Sequence, residues 1–196
     1  MRMALKISTE TLDELDCEGL VLVFFSDERP PRGLCGFADW RLNGIISRYL
    51  KEGRITGAFL EKILIPSQER VPCERILLLG LGKSAELTYD QLYTAGYTIS
   101  ETITGMGWRE IALNIPSNGR CVLDVPVMTE AMITGYMDFC NENLKRCSIQ
   151  LTGLLADSSN LDGVLSGLER FRRNAGETTN VDVHLSKKDG VETNGT

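Results

Sequence analysis

The strongest constraint in this chain is a pair of apolar runs with no polar alternation. Leu20-Val21-Leu22-Val23-Phe24-Phe25 lies between Gly19 and Ser26-Asp27, and Ile76-Leu77-Leu78-Leu79-Gly80-Leu81 follows Arg75. A strand with one wet face alternates apolar and polar residues, whereas a run that is apolar throughout has to be covered on both faces. Both runs are short, and four of the six residues in the first are β-branched or aromatic. Each is therefore read as a central strand, which requires helices above and below the sheet.

Helical periodicity supplies those covers. From Asp39, the residues Leu42, Ile45, Ile46, Tyr49 and Leu50 share one helical face, and Gly53 stops the pattern. Thr88 and Gln91 stand at capping-box spacing before a helix with Tyr89, Leu92, Gly96, Ile99, Ile103 and Met106 inward. Gly96 lets that face approach its support closely, and Gly105 and Gly107 end it. Asp124 and Pro126 open a third helix facing inward through Met128, Met132, Tyr136 and Phe139. Ser158, Ser159 or Asn160 caps a fourth, with Leu161, Val164, Leu165, Leu168 and Phe171 on its face. Further strands are read at Ala4–Thr9, Ile63–Ile65 before Pro66, Glu110–Asn114, Ser148–Ala156 and Val181–Leu185. The alternation of strands with helices predicts an α/β fold: three layers, a mixed, mostly parallel sheet, helices on both faces. Residues 1–185 are read as one domain and 186–196 as a polar, disordered tail.

A chain of 196 residues suits one domain and needs neither metal nor disulfide to fold. Its net charge of −6 argues against nucleic acid as a partner. No run is long and apolar enough to span a membrane, and Met1-Arg2-Met3-Ala4-Leu5-Lys6 has no signal-peptide core. The six cysteines, Cys17, Cys35, Cys73, Cys121, Cys140 and Cys147, form no C-x-x-C pair and do not resemble a zinc site. Reduced, mostly buried thiols and a cytoplasmic location are the expectation.

Catalytic sets are missing. The single histidine, His184, sits in an alternating strand pattern, and no H-E-x-x-H, G-x-S-x-G or D-x-D pattern occurs. The acids Asp13, Glu14, Asp16, Asp27 and Glu28 lie in polar loops and read as solvated surface charge. Two glycine loops at the carboxyl ends of strands are the candidates for ligand binding. In Gly80-Leu81-Gly82-Lys83, Gly80 and Gly82 can admit a phosphate to backbone N–H groups while Lys83 adds charge. It is not a Walker loop, which has four residues between its glycines and Ser or Thr after Lys. A tight turn is the simpler reading. In Gly33-Leu34-Cys35-Gly36, read as a connecting loop, Gly33 and Gly36 are the candidates and Cys35 stands open to solvent.

The order of these pieces resembles the N-terminal domain of the leucyl aminopeptidase family, peptidase family M17. The pieces are Leu20–Phe25, the Trp40–Leu50 helix, Lys51-Glu52-Gly53-Arg54-Ile55-Thr56-Gly57, Ile63-Leu64-Ile65-Pro66, the Val71-Pro72 approach and Ile76–Lys83. The resemblance spans residues 20 to 175. It implies a macro-domain-like fold and a non-catalytic role, because the family's active site belongs to a separate C-terminal domain holding two metal ions. That domain's N-T-D-A-E-G-R-L signature has no counterpart here, and the 22 residues after Asn174 are too few to hold it. No catalytic residue, metal ligand or cofactor is therefore carried over. Macro domains proper bind ADP-ribose through an Asn-rich, glycine-rich loop. Here that stretch, Ser26 to Gly36, lacks Asn and holds two acids, although Asp27 can still bond a ribose or adenine amine. The resemblance implies a binding, regulatory or assembly module. The alternatives are a nucleotide or ADP-ribose binder and an accessory subunit of a zinc or manganese aminopeptidase.

Overall fold

The computed structural model describes residues 3–8, 12–14, 17–116, 121–157, 159–175 and 181–186. Its strands are β1 (Met3–Ser8), β2 (Gly19–Phe24), β3 (Lys62–Pro66), β4 (Arg75–Gly80), β5 (Glu110–Asn114), β6 (Leu151–Leu155) and β7 (Val181–Ser186). They form one seven-stranded sheet in the order β3-β4-β2-β5-β6-β1-β7. Only β3 runs antiparallel, against β4; the other pairings are parallel. The first apolar run becomes β2, held between β4 and β5 with all six residues buried. The second becomes β4 beside it.

Alternate residues of these strands point to opposite faces. Val21, Val23, Leu77, Leu79, Ile111 and Leu113 join one apolar cluster with α3 (Tyr89–Gly105), α4 (Val125–Glu142) and α5 (Leu161–Ala175). Leu20, Leu22, Phe24, Ile76 and Leu78 join the other, under α1 (Gly33–Arg41) and α2 (Ile45–Lys51). Three layers result, as the double-sided burial demanded.

The caps behave as their chemistry dictates. Thr88 and Gln91 form a reciprocal capping box on α3, and the Asp124 carboxylate accepts from Val127 N with Pro126 in the first turn of α4. Glycines set the spacing between these helices. A Cβ on Gly96 would stand 1.9 Å from the Met132 carbonyl, and one on Gly135 would stand 1.9 Å from the Tyr93 carbonyl. Each helix thus lays a glycine against the other's backbone.

One helix differs from its expected form. The Asp39–Leu50 segment is two helices, because Asn43 and Gly44 take positive φ angles of 61° and 72° and break it. Gly33 to Gly36, expected as a loop, is the first turn of α1. Asp39 starts no helix there: it lies buried near the end of α1 and caps α2 across the break. Its carboxylate accepts from Ile46 N at 2.7 Å, from Ser47 N at 3.0 Å and from the Ser47 hydroxyl. A carboxylate capping across a gap looks, in sequence, like one at a start. Ser186 ends β7 instead of opening a tail, and 187–196 lie outside the described residues.

Gly96→Ala tests the helix contact. Alanine raises helix propensity by roughly 1 kcal/mol. The backbone clash works against it, and overpacking of this kind costs about 1–3 kcal/mol. We expect lower stability in denaturant unfolding for Gly96→Ala, and none lost for Gly105→Ala, whose added Cβ meets nothing within 4 Å.

Candidate functional site

In this sheet the chain leaves β2 toward β3 and β4 on one side, and leaves β5 toward β6 on the other. The connection after β2 (α1) and the connection after β5 (α4) lie on opposite faces. The strand ends therefore part between β2 and β5, at the kind of switch point where open α/β sheets place ligands. The paired register stops at Val21↔Leu113. One residue on, Asn114 takes over: its side-chain oxygen accepts from the Val23 N–H at 2.8 Å, a buried bond. Asn114 thus satisfies a backbone donor that the diverging strand no longer reaches.

A crevice opens above that bond. Val23, Phe25, Asn114 and Ile115 form its floor, and Glu28, Arg32 and Gly33 line the α1 side. Val125 and Asn160, at the starts of α4 and α5, line the opposite side. Three helix N-termini thus converge here. The crevice is partly open and its volume is about 40 Å³, room for a few waters and far below the several hundred Å³ of a usual ligand pocket. Glu28, expected as solvated surface charge, is buried in this wall. An acid next to two prolines and arginines carries no sequence mark of burial.

The sequence candidates divide. Gly33 lines the crevice, but Gly36 packs under Pro31, whose carbonyl would stand 2.5 Å from a Cβ there. Cys35, expected open to solvent, is buried, and burial with nearby Asp39 and Glu28 pushes its thiol up to about 12. It is an inert core thiol. Gly80, Gly82 and Lys83 do not line this crevice. Gly80 is squeezed under the Gly57–Ala58 backbone, with 2.2 Å between a Cβ and the Ala58 carbonyl. Gly80 N donates to Glu61 O, Leu81 N to Phe24 O and Gly82 N to Gly57 O. The N–H groups that would meet a phosphate are already used inside the fold, as a tight turn requires. Lys83 is exposed and its ammonium holds Glu86 at 2.7 Å, the main reason its pKa is raised. Asp27 accepts from Ser84 N at 3.0 Å and from Ser84 Oγ at 2.8 Å, so it ties the loop after β2 to the loop after β4. The two glycine loops do not meet in one pocket. Asn114 and Glu28 are the site residues that periodicity misses; an Asn closing a buried strand is the one signal available for the first.

A second feature lies beside α1. Trp40 is 69% exposed and stacks on Phe37 at 5.8 Å between ring centroids. The Arg41 guanidinium lies over both rings and also bonds Asp13. Between Arg29 and Arg54 stand six cations against two anions, in a chain whose net charge is −6. Among the described residues, no group of three or more His, Cys, Asp or Glu is placed to hold a metal, and no helix is long and apolar enough to cross a membrane.

The model of the cytosol aminopeptidase family, N-terminal domain, matches residues 20–137, more than half of the chain. A probable cytosol aminopeptidase of Pseudomonas syringae pv. tomato is 28% identical over 101 residues, covering 52% of this chain and 20% of that protein. One from a Geobacter species is 33% identical over 135 residues, 69% of this chain and 26% of that protein. The chain spans about a fifth of the length of such curated relatives. Among solved structures, a Trypanosoma brucei macrodomain in complex with ADP-ribose aligns with a TM-score of 0.66 at 14% identity, covering 86% of this chain and 69% of that one. A tomato leucine aminopeptidase mutant aligns with a TM-score of 0.61 at 17% identity, covering 84% of this chain and 35% of that one. The macrodomain-like fold expected from the order of elements is the observed one.

Asn114→Leu removes the acceptor and leaves the buried Val23 N–H unsatisfied, so stability falls by about 1–3 kcal/mol. Asn114→Asp keeps an acceptor at that atom and loses less. Chemical denaturation of the two variants, with hydrogen exchange at Val23, checks the order.

Proposed function

We infer the role from a plain premise: the chain belongs to the cytosol aminopeptidase family, as its N-terminal domain. It acts as a non-catalytic binding module that docks a protein partner. The observation carrying this reading is the Trp40–Phe37–Arg41 cluster. Trp and Arg are the side chains that dominate binding energy at protein interfaces. A tryptophan left this open beside an exposed Phe37 is costly to keep in water and is suited to a partner's pocket. The excess of cations around it selects a partner surface that is acidic around an apolar centre. A full-length aminopeptidase of the same family is the first candidate, with this chain as its accessory subunit.

Sedimentation velocity of the chain with a full-length cytosol aminopeptidase tests the reading. We expect a complex, weakened by Trp40→Ala by about 2 kcal/mol, roughly thirtyfold in Kd. A chain that sediments alone beside that enzyme overturns it. The chain by itself, with manganese or zinc added, releases no product from a leucyl-anilide, and release would overturn the non-catalytic half.

A second reading rests on the switch-point crevice. Its position between β2 and β5, beneath three helix N-termini, suits a nucleotide-like anion, and a structural neighbour is named as a complex with ADP-ribose. The crevice holds only about 40 Å³, so such a ligand would sit mostly above it or displace the Glu28–Arg32 wall. Calorimetry with ADP-ribose and a nucleotide panel decides it: heat that persists in Trp40→Ala supports a separate small-molecule site, and no heat at millimolar ligand removes the reading.

A further inference from the structure

Cys140 and Cys147 stand apart from the other thiols. Cys140 lies near the end of α4. The turn that follows folds back, with Arg146 N and Cys147 N both donating to Asn143 O at 2.8 and 2.9 Å. This return brings the two sulfurs to 3.1 Å, with Cys147 donating to Cys140. Both residues are buried at 4% exposure. The Ser100 hydroxyl of α3 lies 3.1 Å from the Cys140 sulfur. One helical turn further along α3, the Thr104 hydroxyl is buried with no hydrogen-bond partner among the described residues.

The two sulfurs therefore have unequal surroundings. Once ionised, Cys147 can accept from Cys140 S–H across that same contact. A donor aimed at a sulfur favours its anion. The bond from Cys140 pushes the Cys147 thiol down to about 6, while Cys140, as the donor, is pushed up. Buried Cys73 moves the other way, up to about 11, mainly through burial, as Cys35 does.

We propose that Cys140 and Cys147 form a peroxide-oxidisable pair, with Cys147 as the attacking sulfur and Cys140 as the resolving one. The oxidant is hydrogen peroxide, chosen for its small size because both residues keep only 4% of their surface exposed. The Cys147 thiolate attacks one peroxide oxygen; an S–O bond forms, the O–O bond breaks, and hydroxide leaves and is protonated to water. Cys147 is then a sulfenic acid, oxidised by two electrons. The Cys140 sulfur attacks it, an S–S bond forms, the S–O bond breaks, and a second water leaves with the Cys140 proton. Closure needs the sulfurs to approach by about 1 Å, since a disulfide spans about 2 Å. The product staples the end of α4 to the segment entering β6.

Lys145 and Arg146 lie between the two cysteines, so trypsin separates them. After peroxide treatment of the full chain, the expected result is a pair of tryptic peptides joined through Cys140 and Cys147 that part on reduction. Cys140→Ser should stall at a sulfenic acid on Cys147, trapped by dimedone. Cys147→Ser should slow thiol loss at this pair by about tenfold or more. If both thiols of the wild-type chain stay open to alkylation after unfolding, or Cys147→Ser oxidises as fast as wild type, the proposal is overturned. The wild-type cross-link decides the matter even where a serine variant fails to fold.

Discussion

Six consecutive buried residues in β2, five of them from the apolar run, have to be covered twice, once on each face, and everything else in this structure is arranged to do it. β4 and β5 take up its hydrogen-bonding edges. α1 and α2 cover Leu20, Leu22 and Phe24, and α3, α4 and α5 cover Val21 and Val23 with the matching residues of β4 and β5. The side facing α3 and α4 is the tighter one. Gly96 and Gly135 bring those helices into backbone contact, which seats Tyr136 deep enough for its hydroxyl to reach Thr152 at 2.7 Å. Covering one strand on both faces also forces the connections to depart in opposite directions. The crevice at the carboxyl ends of β2 and β5 follows from that geometry.

What the crevice holds is modest. Asn114 closes the gap where the ladder ends, and the Gly80–Gly82 loop that looked suited to phosphate spends its N–H groups on the fold. The larger resource is on the surface. Trp40, Phe37 and Arg41 form a stacked, open cluster in a locally basic stretch of an acidic protein. Such a cluster suits the proposed recognition of a partner by shape and charge, which needs no reacting group. It fits a domain that resembles one segment of a larger aminopeptidase.

Short-range chemistry was legible where one residue pair settled it. Thr88 with Gln91 and Asp124 with Pro126 were read as helix starts and are helix starts. The faces led by Leu92, Ile99 and Ile103, and by Met128, Met132 and Tyr136, are buried as read. Legibility failed where an acid reaches across a break. Asp39 reads as the start of a helix, yet it lies inside α1 and its carboxylate takes first-turn N–H groups of a helix beginning several residues later. Asn43 and Gly44 fit a continuing pattern until their positive φ angles are seen. Asp27 and Glu28 read alike as surface acids, yet one ties Ser84 and the other is buried beside Cys35. The Cys140–Cys147 pair lies seven residues apart, a spacing that matches no redox motif, and only the returning turn at Asn143 brings the sulfurs together.

Taken alone, the residues determined the class of fold: the periods of 2 and 3.6 are local, and a run apolar at every position admits no wet face. They also determined which helices and strands follow one another, and through that order the family. The tertiary structure decided the rest, because a site is a meeting of residues distant in the chain. Asn114 reaches Val23 across 91 positions and Asp27 reaches Ser84 across 57. No local pattern encodes which loop closes over which strand end, or which tryptophan is left facing the solvent.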